Sequence, residues 1–401
     1  MITSCAKRRW RIPLAPPRAR GGGAATYITT PASTKCSDLT HSSLITVALD
    51  VSPLRKPGAD RGLGRYIREV REFFDRNPTY TPRLIDIVVS RPSRLSEFLE
   101  IPPRLARVRA SNADIYHSMT PYHIVPTVLT RSVVSVQDII TLEARSHDST
   151  GIKARFFYKL ARRARCLLTN TDYTFSRIVN YLGVDPAVVV AAPLPVAAAF
   201  RNWTHERCLL PSTLQGRDYV VGIADTRAPD PRKRIPWLLG AFRRLCREGL
   251  TCVVVGSGSE TIPEPIIGLG YIDDTVLADV FFHARALVFP SAYEGQGMPP
   301  LEAMTVGTPV VAFRNSSLLE VIGGGGVLLE DHGTPAEATA EPHSENDAAV
   351  GEIVDAVFRV LGDADLHHNL SRAARAQAAS YTTERFDTGL RAAYDRALAK
   401  R

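Results

Sequence analysis

From Leu44 onward, short runs of β-branched residues alternate with longer stretches in which apolar residues recur every three or four positions. This is the pattern of βα units that build a parallel sheet. The first strand is predicted over Leu44–Leu49, followed by a turn-rich loop from Asp50 to Gly64. A helix then begins near Arg65 and places Tyr66, Ile67, Val70, Phe73 and Phe74 on one face. Further strands are predicted at Arg83–Val89, Ile115–His117, Val133–Val136, Cys166–Thr169 and Val188–Ala191. Helices fit Ile152–Arg165 and Tyr173–Leu182, with Gly183 just past the end of the second. Regularity fades between Pro193 and Arg217 and resumes with a strand at Tyr219–Ile223. After it come helix Pro236–Arg247, strand Thr251–Val255, helix Thr275–Arg285, strand Ala286–Phe289, helix Pro299–Val306 and strand Pro309–Phe313. Residues Asp331–Asp347 are small, acidic and aperiodic and read as a surface loop. Val350–Leu361, Leu366–Ser380 and Glu384–Leu398 read as closing helices.

Two such alternating blocks in 401 residues, a length at which one core stops growing, predict two doubly wound α/β domains. The expected division is a tail over 1–43, a first domain over 44–205, a second over 206–383 and a last helix over 384–401. The composition, 45% apolar and 22% charged, is that of an ordinary globular protein. Charge changes the picture only at one end. The net charge is +8, but residues 1–43 hold seven cations against the single acid Asp38, so six of those charges sit there. The tail is also rich in Gly, Pro, Ser and Thr and is expected to be disordered. The near-neutral remainder gives no basic nucleic-acid-binding face, so no nucleic acid partner is expected. Arg8 and Arg9 lack the apolar run an export signal needs, and no stretch of about 18 apolar residues predicts a spanning helix. Six cysteines without a C-x-x-C pair read as small hydrophobes in a reducing compartment. A cytoplasmic location is expected, with a peripheral contact at the inner face of the membrane left open.

Ligands of open parallel sheets bind beyond the carboxyl ends of the strands. The loop after Ala286–Phe289 reads P-S-A-Y-E-G-Q-G-M-P-P-L-E-A-M. Glu294 stands beside Gly295 and Gly297, whose backbone amides little bulk covers, and Pro299 and Pro300 suit a first helical turn that carries Glu302. Amides and helix dipole suit anionic oxygens, and carboxylates accept hydrogen bonds from vicinal hydroxyls, so a sugar diphosphate fits. The same residues also fit a plain acidic helix start that complements the dipole. The loop after Tyr219–Ile223, A-D-T-R-A-P-D-P-R-K-R, puts Arg232 and Lys233 at the same sheet edge. There they read either as a diphosphate clamp or as a solvated charge run.

With these elements in place the chain resembles the retaining GT-B glycosyltransferases of family four, group 1, from about Leu44 to the last helix. The most specific match is the E-G-x-G-x-P-x-x-E frame, here Glu294 to Glu302; in the family its first glutamate and loop amides hold the donor sugar and its second holds the ribose. By resemblance, Glu294, Gly295, Gln296, Gly297, Met298 and Glu302 would form the donor loop, and Arg232 and Lys233 would bind the donor phosphates. G-L-G-R-Y, with Gly62 and Gly64, would face the phosphates and the acceptor. The final helix would cross back onto the first domain. The family's His-Asp after the Val133–Val136 strand is Gln137-Asp138 here; Gln137 can exchange hydrogen bonds but carries neither proton nor charge. Position 296, commonly aromatic, is Gln, and Arg234 stands where Asn is frequent.

The resemblance implies front-face, retaining transfer through an oxocarbenium-like state, with Arg232, Lys233 and loop amides stabilising the departing diphosphate. Neither cofactor nor metal is expected. The subgroup with P-R-K and G-x-G-R-Y points to GDP-mannose or another nucleotide-hexose as donor and a glycan or lipid-linked acceptor. Two other readings share the architecture: a sugar-nucleotide epimerase or phosphorylase, and a non-catalytic nucleotide-sugar-binding protein made conceivable by Gln137. A dehydrogenase fits less well, because V-G-S-G-S-E after Val253–Val255 lacks the G-x-G-x-x-G spacing.

Overall fold

The computed structural model describes residues 44–55, 62–87, 96–143, 149–204, 209–331 and 348–399. They form two six-stranded sheets whose neighbouring strands are all parallel. The first holds β1 (Ile45–Asp50), β2 (Tyr80–Ile85), β3 (Ile115–Ser118), β4 (Ser132–Ser135), β5 (Cys166–Thr169) and β6 (Val189–Ala191) in the order β2-β1-β3-β4-β5-β6. The second holds β7 (Tyr219–Ile223), β8 (Thr251–Val255), β9 (Ile267–Gly268), β10 (Ala286–Phe289), β11 (Val310–Arg314) and β12 (Gly326–Glu330) in the order β12-β11-β10-β7-β8-β9. The helices that follow the strands of the first sheet are α1 (Gly62–Arg76), α2 (Ser96–Leu99), α3 (Ile101–Ala110), α4 (Ile140–Glu143), α5 (Ser149–Ala161) and α6 (Asp172–Leu182), and α7 (Ala198–Arg201) sends Phe200 into a core of the second sheet. The second sheet is followed through α8 (Ile235–Arg247), α9 (Asp274–His283), α10 (Met298–Thr305), α11 (Leu318–Ile322), α12 (Ala348–Gly362), α13 (Ala364–Ala378) and α14 (Thr383–Leu398). Both sheets reverse strand order at an inner pair, β1/β3 and β7/β10, which makes each doubly wound and leaves a crevice at the carboxyl ends of those strands.

The strand expected over Arg83–Val89 instead occupies Tyr80–Ile85, paired with β1 from Ile45 opposite Tyr80 to Asp50 opposite Ile85. It lies at the sheet edge, where Pro82 is tolerated and only its two end residues are buried. The apolar run downstream drew the sequence reading away from it. The helix expected to begin near Arg65 starts at Gly62, so both glycines of G-L-G-R-Y lie in its first turn. Helix α3 and strand β12 escaped the sequence reading. In α3, Arg104 occupies a core position that periodicity assigns to an apolar residue; β12 begins on the last glycine of the run Gly323–Gly326, which reads as a turn. The tail over 1–43, the division at 205/206 and the loop beyond Asp331 lie outside the described residues.

Each sheet is packed on both faces. One core of the second sheet gathers Tyr219, Phe281, Leu301 and Met304, and the other Leu238, Phe242, Val254 and Val357. On the first sheet, α14 supplies Phe386, Leu390, Ala393, Tyr394 and Ala397 to the core that holds Tyr66, Phe73 and Leu168. The helix comes so close that a Cβ on Gly389 would stand 2.7 Å from that of Ala192. Buried Asp387 anchors it, accepting from Arg76 at 2.8 and 3.0 Å and from Asn77 at 3.1 Å.

Candidate active site

Parallel pairing of β7 with β10 places the loops that leave these strands side by side. After β7, Asp230 caps a single 3-10 turn, Pro231–Lys233, by accepting from the amide of Arg232 at 3.0 Å, and it also pairs with the Arg232 guanidinium at 2.5 Å. The chain turns into α8 through Arg234, whose φ of +47° is unusual for a residue with a side chain. Asn tolerates that conformation readily, which gives its frequency at this position a physical sense. Arg234 is held there by two 3.0 Å hydrogen bonds to Asp331 and by stacking on Trp237 at 4.3 Å.

After β10 the chain crosses the Arg232 loop, with the Ala292 amide donating to the Arg232 carbonyl at 2.7 Å, and reaches Glu294. The Glu294 carboxylate receives the Lys233 ammonium at 2.5 Å, and its amide donates to the Ser316 hydroxyl at 2.9 Å. Gly297, with φ +80°, then lets the backbone turn into α10, whose first residues Met298 and Pro299 line the cleft. The structure thus brings Arg232, Lys233, Glu294, Gly295, Gln296, Gly297, Met298 and Glu302 to one wall of a cleft of about 880 Å³.

The other wall comes from the first sheet. Gln137 and Asp138 follow β4, and Gly62 opens α1 at the rim, whereas Gly64 faces the protein interior. The two walls touch where a Cβ on Gly295 would approach the Gln137 carbonyl to 2.6 Å, so only glycine allows this contact. Asn170 donates to Gln137 Oε1 at 2.9 Å, while Gln137 Nε2 is buried and finds no hydrogen-bond partner among the described residues. Burial pushes the Asp138 carboxyl up in pKa, Arg232 pulling it down and Glu294 adding to the rise. The Gln296 amide is committed elsewhere: its two ends receive the Leu194 amide at 3.0 Å and donate to the Leu194 carbonyl at 2.7 Å.

The sequence reading passed over Arg65. From the first turn of α1 it reaches across the cleft and pairs with Glu302. Burial pushes the Glu302 carboxyl up to about 7, Arg65 opposing the shift. Arg65 stands inside the quoted G-L-G-R-Y, but a cation in a first helical turn reads as solvated until the facing sheet is known. Tyr122 and Tyr158 also line the cleft, and neither belongs to a local motif. Beneath it, His117 is sealed between the Tyr394 hydroxyl at 2.9 Å and the Ser135 hydroxyl at 2.8 Å; burial lowers its pKa to about 3, so it is neutral.

Residues 219–342 match the family model described as glycosyl transferases group 1. The chain is 25% identical over 315 residues to O-antigen chain mannosyltransferase B of Escherichia coli, covering 72% of this chain and 81% of that protein. It is 30% identical over 219 residues to MMP alpha-(1->4)-mannosyltransferase of Mycolicibacterium hassiacum, covering 51% of this chain and 49% of that one. Among solved structures, sucrose-phosphate synthase from Thermosynechococcus elongatus superposes with a TM-score of 0.62 at 15% identity, over 88% of this chain and 98% of that chain.

Proposed function

The chain belongs to the group 1, family four glycosyltransferases and is mannosyltransferase-like, and on that footing we propose that it transfers a hexosyl unit, mannosyl first, from a nucleoside-diphosphate donor to a hydroxyl of a glycan acceptor with retention of configuration. The observation that carries this reading is the convergence of Lys233 on Glu294 at 2.5 Å, beside Arg232 and the Gly295–Met298 amides, at the wall of a ligand-sized cleft. These groups form two sets. Arg232, Lys233 and the turn amides suit the two phosphates, and Glu294 and Glu302 suit sugar and ribose hydroxyls.

In the proposed step the bond from the sugar C1 to the diphosphate breaks and a bond from the acceptor oxygen to C1 forms on the same face. The acceptor proton passes to the departing phosphate oxygen. Negative charge grows on the leaving group where Arg232 and Lys233 stand, so they stabilise the transition state more than the ground state. Gln137 Nε2, a buried donor without a partner, would hold a hydroxyl of the transferred sugar. Because fixed cations supply the positive charge, transfer is proposed to proceed without a divalent metal.

The experiment presents the purified chain with GDP-mannose and with UDP- and dTDP-hexoses over a panel of glycan acceptors. Expected are transfer from GDP-mannose, an anomeric configuration matching the donor by NMR, and unchanged rate in EDTA. Glu294→Ala should stay folded and lose about two to three orders of magnitude in rate. Wild-type transfer by that variant, inverted product, or an EDTA loss restored by magnesium or manganese would each overturn the corresponding part.

A further inference from the structure

Helix α5 has two faces of opposite character. Inward, Ala154, Phe157, Tyr158 and Ala161 are buried, and the Tyr158 hydroxyl donates to the Asp138 carbonyl at 2.8 Å in the cleft. Outward, Ile152 and Phe156 are 61% and 50% exposed, one helical turn apart. Arg155 and Lys159 are exposed in the same stripe, and Arg162 and Arg163 are exposed in the turn just past its end. From Ser149 to Arg165 the sequence holds six cations and no acid. The patch extends onto α2, where Leu99 is 67% exposed and the Phe98 ring packs on Phe156 with centroids 5.4 Å apart. The acid that borders it, Glu97, is paired with Lys153 at 3.1 Å.

Leu99, Ile152 and the outer half of Phe156 thus face solvent beside cations. We propose that this face, α5 with the end of α2, docks on the surface of an anionic lipid bilayer. Ile152, Phe156 and Leu99 enter the interfacial layer, and Lys159, Arg162 and Arg163 lie against lipid phosphates. Charge complementarity selects this occupant: exposed Arg155, Lys159, Arg162 and Arg163, with no acid between Ser149 and Arg165, repel a second copy of themselves and favour a dense anionic surface. The same helix lines the cleft from its other side, so a lipid-borne acceptor would stand about one helix diameter, roughly 10 Å, from the transfer site. That last consequence rests on the glycosyltransferase reading above; the docking does not.

The test is co-sedimentation of the full chain with phosphatidylcholine vesicles, with and without roughly one third phosphatidylglycerol. Binding is expected only to the anionic vesicles and to weaken as salt is raised. Ile152→Ser with Phe156→Ser, and Arg162→Glu with Arg163→Glu, should each weaken binding about tenfold while thermal unfolding and transfer to a soluble acceptor stay unchanged. Three outcomes overturn the proposal: no binding to anionic vesicles, equal binding by both double variants, in which case the cationic residues 1–43 account for it, or self-association that Phe156→Ser abolishes. Vesicle binding without transfer from any donor would sink the proposed function and leave the docking surface standing. Transfer without vesicle binding would do the reverse.

Discussion

Gln137 can orient a sugar hydroxyl but cannot titrate, and that restricts what pH can do to the reaction. Gln137→Ala, which removes one neutral hydrogen bond, should lower kcat/KM about tenfold; a wild-type value would take Gln137 out of the site. Gln137→His should add to the pH–rate profile a limb near 6.5 that the wild type lacks. Glu302 is a residue through which pH does act. Its carboxyl titrates near 7 when folded and near 4.5 when unfolded, because burial outweighs its pairing with Arg65. A raised folded pKa means that its contribution to stability, about 3 kcal/mol at most, is full below about 4.5 and lost as pH rises to about 7. Donor affinity should move the opposite way, since ribose hydroxyls need the carboxylate, and tighten as pH rises through 7. Calorimetric titration and thermal unfolding across this window should show both trends, and Glu302→Gln should flatten both. A variant that keeps the wild-type slopes would mean that another group titrates.

Element by element, local rules predict what local forces decide. The last helix α14 was visible as an amphipathic period, and its burial of Phe386, Leu390 and Tyr394 follows from it. What holds it was not visible, because Asp387 meets Arg76 and Asn77 from more than three hundred residues away. Asp387→Ala removes the carboxylate that Arg76 and Asn77 share and should cost about 1–3 kcal/mol in urea unfolding, with donor affinity intact. An unchanged midpoint would show that apolar packing alone fixes the helix. The β2 edge strand and α3 were illegible for a shared reason: a polar or proline residue sits where the pattern expects an apolar one, at an edge in the first case and within a buried ionic cluster in the second. Arg104 there pairs with Glu100 at 2.7 Å, next to buried Asp50, whose pKa burial would raise but the neighbouring His123 and Arg104 hold low. In the candidate site, Glu294 and Lys233 could be read from their own loops. Arg65 and the Leu194 partner of Gln296 could not, because each is decided by the meeting of two sheets, which no window of sequence contains.

At the scale of the whole molecule, the cleft joins groups from both sheets, so a ligand that fills it ties the halves together. GDP at about one hundred times its Kd should stabilise the folded chain by about 2.7 kcal/mol. Lys233→Ala should remove most of that gain at the same GDP concentration, and a Tm that GDP leaves unmoved would count against the diphosphate site. The return of α14 to the first sheet also sets an order for the making of the protein. Five apolar side chains that complete the first core lie within the last sixteen-residue helix. A ribosome adding roughly 5–20 residues per second needs on the order of 10–40 s to get from β6 to that helix. Throughout that interval the first half has emerged with one face of its sheet covered only in part, by α1. It cannot finish folding in the order in which it is made, and it is the half that a chaperone has most reason to hold.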